Sequence, residues 1–325
     1  MPFVGVAMSI KVFVTRDFEH MSDVASDLVK DQIKTVLARK DRFIFGLATG
    51  NTPTGLYKRL VAAANGGEFD SSRIQSFNLD EYIGLPGETA QDRCLHPESY
   101  GYFMIREFFG KLKTPFASTS VPGGPLVDQN KLTAALKKCS KQWHEEGDDA
   151  GRSIVIHTDA TNETLKFVRN DVLNAYTRRI AAAGGIDLQI LGVGGRGHVA
   201  FHESGIPFAN SKMLLVRLDE NTRQNAVTDG HFAKIEDCPL YAVTMGAQSA
   251  YAAKTVVLMA NGARKIEPVT ESLLGPVSPD VPISYGQQYA AKGGNLIYIL
   301  DTIAAQKLLE NKEALANKGV EIAVV

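Results

Sequence analysis

Residues 191–205, LGVGGRGHVAFHESG, carry an apolar strand end through a glycine turn into His198, His202 and Glu203. Upstream, Ile186, Leu188, Ile190 and Leu191 form a short apolar run behind Gly184 and Gly185, as a buried parallel strand requires. Gly192, Gly194, Gly195 and Gly197 permit positive φ angles and close approach of the backbone to a ligand. Open α/β sheets bind their ligands at the carboxyl ends of parallel strands. With His198 and Glu203 just past the turn, the stretch combines that location with groups able to transfer protons.

The totals narrow the function classes. A chain of 325 residues with 44% hydrophobic content buries a large core. Thirty-five Lys and Arg against 36 Asp and Glu leave a formal charge of −1, so no global basic field recruits nucleic acid. Cys94, Cys139 and Cys238 are widely spaced without a CxxC, which argues against a disulfide framework and a cysteine-rich zinc site and fits a reducing cytoplasm. The apolar start, MPFVGVAMSIKVFV, reads as a lead into the first strand rather than a leader peptide. No run of about 18 apolar residues indicates a membrane span.

Taken in order, a strand near Ile10 to Val14 precedes a helix in which Met21, Val24, Ala25, Leu28, Val29, Ile33, Val36 and Leu37 form an apolar stripe. A second strand, Phe43 to Leu47, opens into Thr49, Gly50, Asn51 and Thr52 before a helix that Pro53 starts. That loop reads either as an ordinary turn with a threonine cap or as a phosphate cradle of free amides and hydroxyls. It is not a Walker loop, which needs Gly-Lys-Ser/Thr. The strand Ile74 to Leu79 ends at Asp80 and Glu81, read either as a solvated strand end or as a general base tuned by its pocket.

Residues 111–151 are turn-rich, then polar, and read as an insertion in a single domain spanning 1–325; KLTAALKKCSKQWHEEGDDAGR suggests one polar helix and a charged loop. Ser153 to His157 reads as a strand and Glu163 to Ala183 as a helix. Met213 to Arg217, Tyr241 to Met245, Thr255 to Met259 and Leu296 to Leu300 are further strands. The alternation predicts an α/β, doubly wound, Rossmann-like fold: a mostly parallel sheet with helices on both faces. Lys265, in NGARK, opens the helix after one of these strands, either as a surface lysine or as a second phosphate ligand.

GLATGNTPTGLYKRL, FNLDEYIGL followed by HPESY, LGVGGRGHVAFHESG, DENTR and NGARK occur together and in order, and the chain thereby resembles the glucosamine-6-phosphate deaminase (isomerase) family, related in fold to the 6-phosphogluconolactonases. The resemblance implies a metal-free and cofactor-free conversion of a phosphorylated amino sugar into a ketose 6-phosphate with loss of ammonia. It implies Asp80 as the base that moves a proton between C2 and C1, His198 as the ring-opening group, and Glu203 as the partner of His198. Thr49, Gly50, Asn51, Thr52 and Gly194 match the substrate and phosphate loops, Lys265 the phosphate-neutralising lysine, with Glu81 and His202 in support. Lactonases of the fold carry Asp-Glu-Arg where this chain has Asp80-Glu81-Tyr82, which favours the deaminase branch.

Three positions depart from the family pattern. Arg196 occupies the place of an Asp or Asn, and His202 that of an Asn. Thr228 and Asp229 lie where a phosphate-binding arginine is usual, leaving Arg196 or Arg264 to supply that charge. A galactosamine phosphate suits the same residues as a glucosamine phosphate. The family's allosteric segments are not matched, so that regulation is not expected. Two other functions compete: a phosphosugar lactonase or isomerase that releases no ammonia, and a non-catalytic sugar-phosphate sensor. Relatives of the fold occur as monomers and as hexamers, which leaves a homo-oligomer open.

Overall fold

The computed structural model describes residues 10–148, 151–228 and 230–325. The apolar start at 1–9, part of the charged loop at 149–150, and Asp229 lie outside the described residues. Thirteen strands organise the described chain. The first seven are β1 (Ile10–Thr15), β2 (Phe43–Leu47), β3 (Ile74–Asn78), β4 (Asp80–Ile83), β5 (Ser118–Ser120), β6 (Trp143–Asp148) and β7 (Gly151–Ile156). The others are β8 (Leu188–Leu191), β9 (Met213–Arg217), β10 (Tyr241–Met245), β11 (Thr255–Ala260), β12 (Asn295–Asp301) and β13 (Val320–Val324).

Eight of them form one sheet in the order β13-β1-β12-β11-β8-β2-β3-β5, and every pairing in it is parallel. Strands buried on both faces need continuous apolar runs, and β2, β8 and β11 are buried at every position. Helices flank the sheet. The helix Phe18–Leu37 buries Met21, Ala25, Val29 and Ile33, one residue every fourth position, and its N-terminus is capped by the Asp17 side chain. Tyr176, from the helix Asn174–Ala182, meets Phe77 of β3 edge-on at 5.8 Å. This is the expected Rossmann-like α/β arrangement.

The strand order places the site. From β2 the chain winds outward to β3 and β5; from β8 it winds the other way, to β11 and β12. β2 and β8 are neighbours, Phe45 opposite Leu188 and Gly46 opposite Gln189. Their carboxyl ends therefore form a topological switch point, where the loops leave on opposite sides and open a crevice. The loop after β2 is the 49–52 segment, and the loop after β8 is the glycine turn.

The second sheet departs from the sequence expectation. Its five strands, β4-β10-β9-β7-β6, are antiparallel throughout. Asp80 and Glu81 do not end a strand but begin one. Leu79 makes the transfer: its N–H donates to Leu47 O at 3.1 Å in the first sheet, and its carbonyl accepts from Met245 N at 2.7 Å beside the second. The expected charged loop WHEEGD is instead β6, whose register with β7 pairs Trp143 with Ile156 and Glu146 with Ser153. An edge strand half in water tolerates such polar composition. No helix of the described residues is long and apolar enough to cross a membrane.

Candidate active site

His198 and Glu203 both come from the segment that follows β8. Nδ1 of His198 lies 3.4 Å from Oε2 of Glu203, whose side chain is almost wholly buried while the imidazole remains about 29% exposed. The other carboxylate oxygen of Glu203, Oε1, accepts a 2.8 Å hydrogen bond from the Thr222 hydroxyl. Glu203 is thus held at both oxygens, and His198 presents its remaining nitrogen, Nε2, away from the carboxylate. Thr222 sits on the polar helix Glu220–Thr228, within the DENTR motif, and sequence reading alone did not single it out.

Two of the four turn glycines are required by geometry. A Cβ on Gly194 falls 2.1 Å from Cε1 and Nε2 of His198, so the ring lies directly against the glycine backbone. Gly197 has φ +71°, and a Cβ there meets Val281 at 2.9 Å. Gly192 and Gly195 have no such constraint. The segment beyond the turn is pinned to the second sheet. Phe201 N donates to Thr244 Oγ1 at 3.1 Å, and Thr244 is the register partner of Asp80. The Phe201 ring packs against Tyr82 at 5.4 Å and Tyr100 at 5.9 Å. Burial of that ring contributes about 2 kcal/mol to holding the segment in place.

Asp80 is 6% exposed. Burial, and after it the carboxylates of Glu81 and Glu203, push its pKa well above the usual carboxylate range. Asp80 begins β4, and because its register partner Thr244 accepts from Phe201 N, the segment after β8 is tied to the strand beside Asp80. Adjacent Glu81 has a different job. It accepts hydrogen bonds from the Ser99 hydroxyl (2.8 Å) and from the backbone N–H groups of Tyr82 (2.9 Å), Tyr100 (3.1 Å) and Gly101 (2.9 Å). Burial raises its pKa, and these four donors oppose the rise. Glu81 anchors the N-terminus of the helix Tyr100–Glu107, where the helix dipole favours a negative charge.

His202 is likewise structural. Its Nδ1 accepts from Ala247 N at 3.0 Å and its Nε2 faces Ile206 O at 2.9 Å. An acceptor on one side and a carbonyl on the other specify a neutral ring with its proton on Nε2. Burial lowers its pKa to about 4, which keeps the ring neutral.

At the other wall of the crevice, Gly50 takes φ +91° and the helix Thr54–Asn65 has no side-chain cap at its N-terminus. Its first amide, Thr54 N–H, donates to Asn51 O at 3.3 Å, and the Tyr57 hydroxyl fixes the start of the loop by donating to Ala48 O at 2.5 Å. Lys265 lies at the start of the helix Ile266–Leu274, after β11, which is two strands and so about 10 Å from β2. Arg196 lines a cleft of about 270 Å³ with Ser204, Glu267, Glu271 and Asp280. Three carboxylates make that cleft a poor match for a phosphate dianion. The turn after the helix Glu220–Thr228 is joined to the HPES segment by His231 Nδ1 and Glu98 Oε2, 2.8 Å apart.

No family model matches the chain. Among curated proteins, the glucosamine-6-phosphate deaminase of Thermoanaerobacter sp. is 34% identical over 273 residues, covering 84% of this chain and 87% of the relative. That of Clostridium perfringens is 31% identical over 299 residues, 92% of this chain and all of the relative. Among solved structures, a monomeric glucosamine-6-phosphate deaminase superposes with a TM-score of 0.67 at 27% identity, covering 91% of this chain and 99% of its own. The 6-phosphogluconolactonase of Trypanosoma brucei reaches a TM-score of 0.58 at 16% identity over 93% of this chain, a likeness of fold.

Proposed function

The chain belongs to the glucosamine-6-phosphate deaminase family, and we propose that it converts an amino-hexose 6-phosphate and water into a ketose 6-phosphate and ammonia. The observation that supports this reading is the His198–Glu203 pair on a segment bonded to Thr244, the register partner of buried Asp80. Isomerisation needs a base beside the C2 proton of the opened sugar, and a base works best with its pKa near the working pH. A buried carboxyl whose pKa is raised by its surroundings is suited to take that proton and return it at C1. The resulting imine at C2 adds water and releases ammonia.

Ring opening precedes that step and needs a group that moves a proton between the anomeric hydroxyl and the ring oxygen. His198 fills this role through Nε2, with Glu203 stabilising the imidazolium that forms and Thr222 keeping the carboxylate aimed. The phosphate docks on the amides and hydroxyls of Thr49, Gly50, Asn51 and Thr52, with Lys265 as counter-charge. Remote binding energy from the phosphate then aligns C1 and C2 over Asp80. Tyr82 stands in an aromatic cluster with Tyr100, Phe201 and Phe232 and leaves no arginine for a lactone carbonyl.

The test is ammonia release from glucosamine 6-phosphate and galactosamine 6-phosphate. Turnover of one or both that disappears in Asp80→Asn while binding persists supports the reading. Isomerisation or lactone hydrolysis without ammonia contradicts it.

A further inference from the structure

The edge hairpin of β6 and β7 brings two imidazoles together outside the site described above. His144 lies on β6 opposite Val155, and His157 directly follows β7, so the two stand diagonally on one face of the ladder. Nδ1 of His144 is 2.9 Å from Nε2 of His157, and Nε2 of His144 is 3.3 Å from Oε1 of Glu146. An ionised carboxylate only accepts, so the proton of a neutral His144 resides on Nε2. Its Nδ1 is then a bare lone pair, and His157 Nε2–H donates to it.

We propose that this pair binds a divalent transition-metal ion of the zinc, nickel or copper type, with His144 Nδ1 and His157 Nε2 as its protein ligands. Imidazole nitrogen is the donor these ions favour. Two nitrogens on one tetrahedral ion, each at about 2.0–2.1 Å, lie about 3.3 Å apart, so the pair has to open by about 0.4 Å while each ring turns its nitrogen by roughly 35° toward the ion. Glu146 already occupies the orienting position that a carboxylate takes behind a metal-bound histidine. The backbone of His157 is fixed on both sides: its N–H donates to Gln142 O at 2.9 Å, and the Arg169 guanidinium donates to its carbonyl.

On binding, the His157 proton passes from Nε2 to Nδ1 through water, and both rings remain neutral ligands. The His144 side chain is about half exposed, which gives a hydrated ion its way in. Among the described residues no three His, Cys, Asp or Glu side chains converge as a metal group, so water completes the coordination. This separates the site from closed structural zinc sites with four protein ligands. The proposal does not depend on the deaminase reading.

Titration calorimetry of the untagged full-length chain with zinc chloride at pH 7.5 tests it, alongside the electron paramagnetic resonance spectrum with one equivalent of cupric ion. One ion per chain is expected. His144→Asn and His157→Asn each weaken it by at least about tenfold, and Glu146→Gln, which removes only the orienting group, by about tenfold. The cupric spectrum shows two nitrogen ligands in the wild type and one in either histidine variant. Zinc affinity unchanged in both histidine variants, or a wild-type cupric spectrum without paired nitrogen ligands, overturns the proposal.

Discussion

Glu203 Oε2 lies 3.4 Å from Nδ1 of His198, and the glutamate is itself fixed by Thr222 through its other oxygen. The chain thus aims its partly exposed imidazole through a buried carboxylate whose orientation is set by the helix Glu220–Thr228. Thr222→Val removes the bond that fixes Glu203 without touching the ring. A hydrogen bond to a charged group contributes about 1.5–3 kcal/mol, so kcat is expected to fall by roughly ten- to a hundredfold with KM little changed. Thr222→Ser keeps the hydroxyl and should recover most of the loss. Steady-state kinetics of both variants check it, and equal activities would dissociate Thr222 from the pair.

Gly194 sets the ring position from the other side. In Gly194→Ala the new methyl overlaps the His198 ring, which has to move. A displacement of about 1 Å at a reacting group costs on the order of a hundredfold in rate. That loss is expected with the circular dichroism spectrum unchanged, whereas Gly195→Ala, with open space at its Cβ, keeps near wild-type turnover.

The raised pKa of Asp80 has a stability consequence. A carboxyl whose folded pKa lies above its unfolded value costs nothing while both states are protonated, below about pH 4. Its unfolded form gains by ionising as pH rises, so the wild type is progressively destabilised up to the folded pKa. Asp80→Asn lacks that penalty. Its Tm should exceed the wild-type Tm at pH 7–8, and the difference should shrink toward pH 4. A difference independent of pH would show that the fold does not raise the Asp80 pKa.

His202 works in the opposite direction. Its pKa is lowered from 6.5 to about 4, so the stabilisation of its neutral latch is full above 6.5 and disappears as pH falls through 4. A shift of that size corresponds to about 3 kcal/mol. Urea unfolding between pH 7 and pH 4 should show this component in the wild type and a flatter dependence in His202→Gln. Parallel curves would assign the acid sensitivity to other groups.

Phosphate recognition separates two cations. Lys265→Ala is expected to raise KM for a phosphorylated substrate by at least about tenfold, as loss of a charge-assisted contact does. Arg196→Ala, whose guanidinium lines the cleft of Glu267, Glu271 and Asp280, should change KM by less than about threefold. A large Arg196 effect with Arg264→Ala silent would instead make Arg196 the substitute for the arginine absent near Thr228.

Much of this architecture is legible along the chain because parallel strands buried on both faces leave unbroken apolar runs: Phe43–Leu47, Leu188–Leu191 and Thr255–Ala260 need no partner to be recognised. His198 and Glu203 are legible for a similar reason, since one short segment carries both. The second sheet is not. WHEEGD has no apolar alternation, and its pairing with Gly151–Ile156 is written in the register, not in the composition. DEYI follows its predecessor strand after a single residue, Leu79, so nothing local shows that the chain changes sheets. Thr222 and Glu203 are 19 residues apart, and only the folded helix brings their side chains together. His202 reads as a site residue by proximity, yet its bonds to Ala247 and Ile206 spend both ring nitrogens on the backbone.

The most direct test of the central claim is enzyme-coupled ammonia detection with glucosamine 6-phosphate and galactosamine 6-phosphate, comparing the wild type with Asp80→Asn and measuring binding of the same sugars to both. The account predicts ammonia and ketose 6-phosphate in equal amounts from the wild type, with turnover lost in Asp80→Asn and binding retained. Wild-type binding of both sugars without ammonia, or undiminished release by Asp80→Asn, would contradict it.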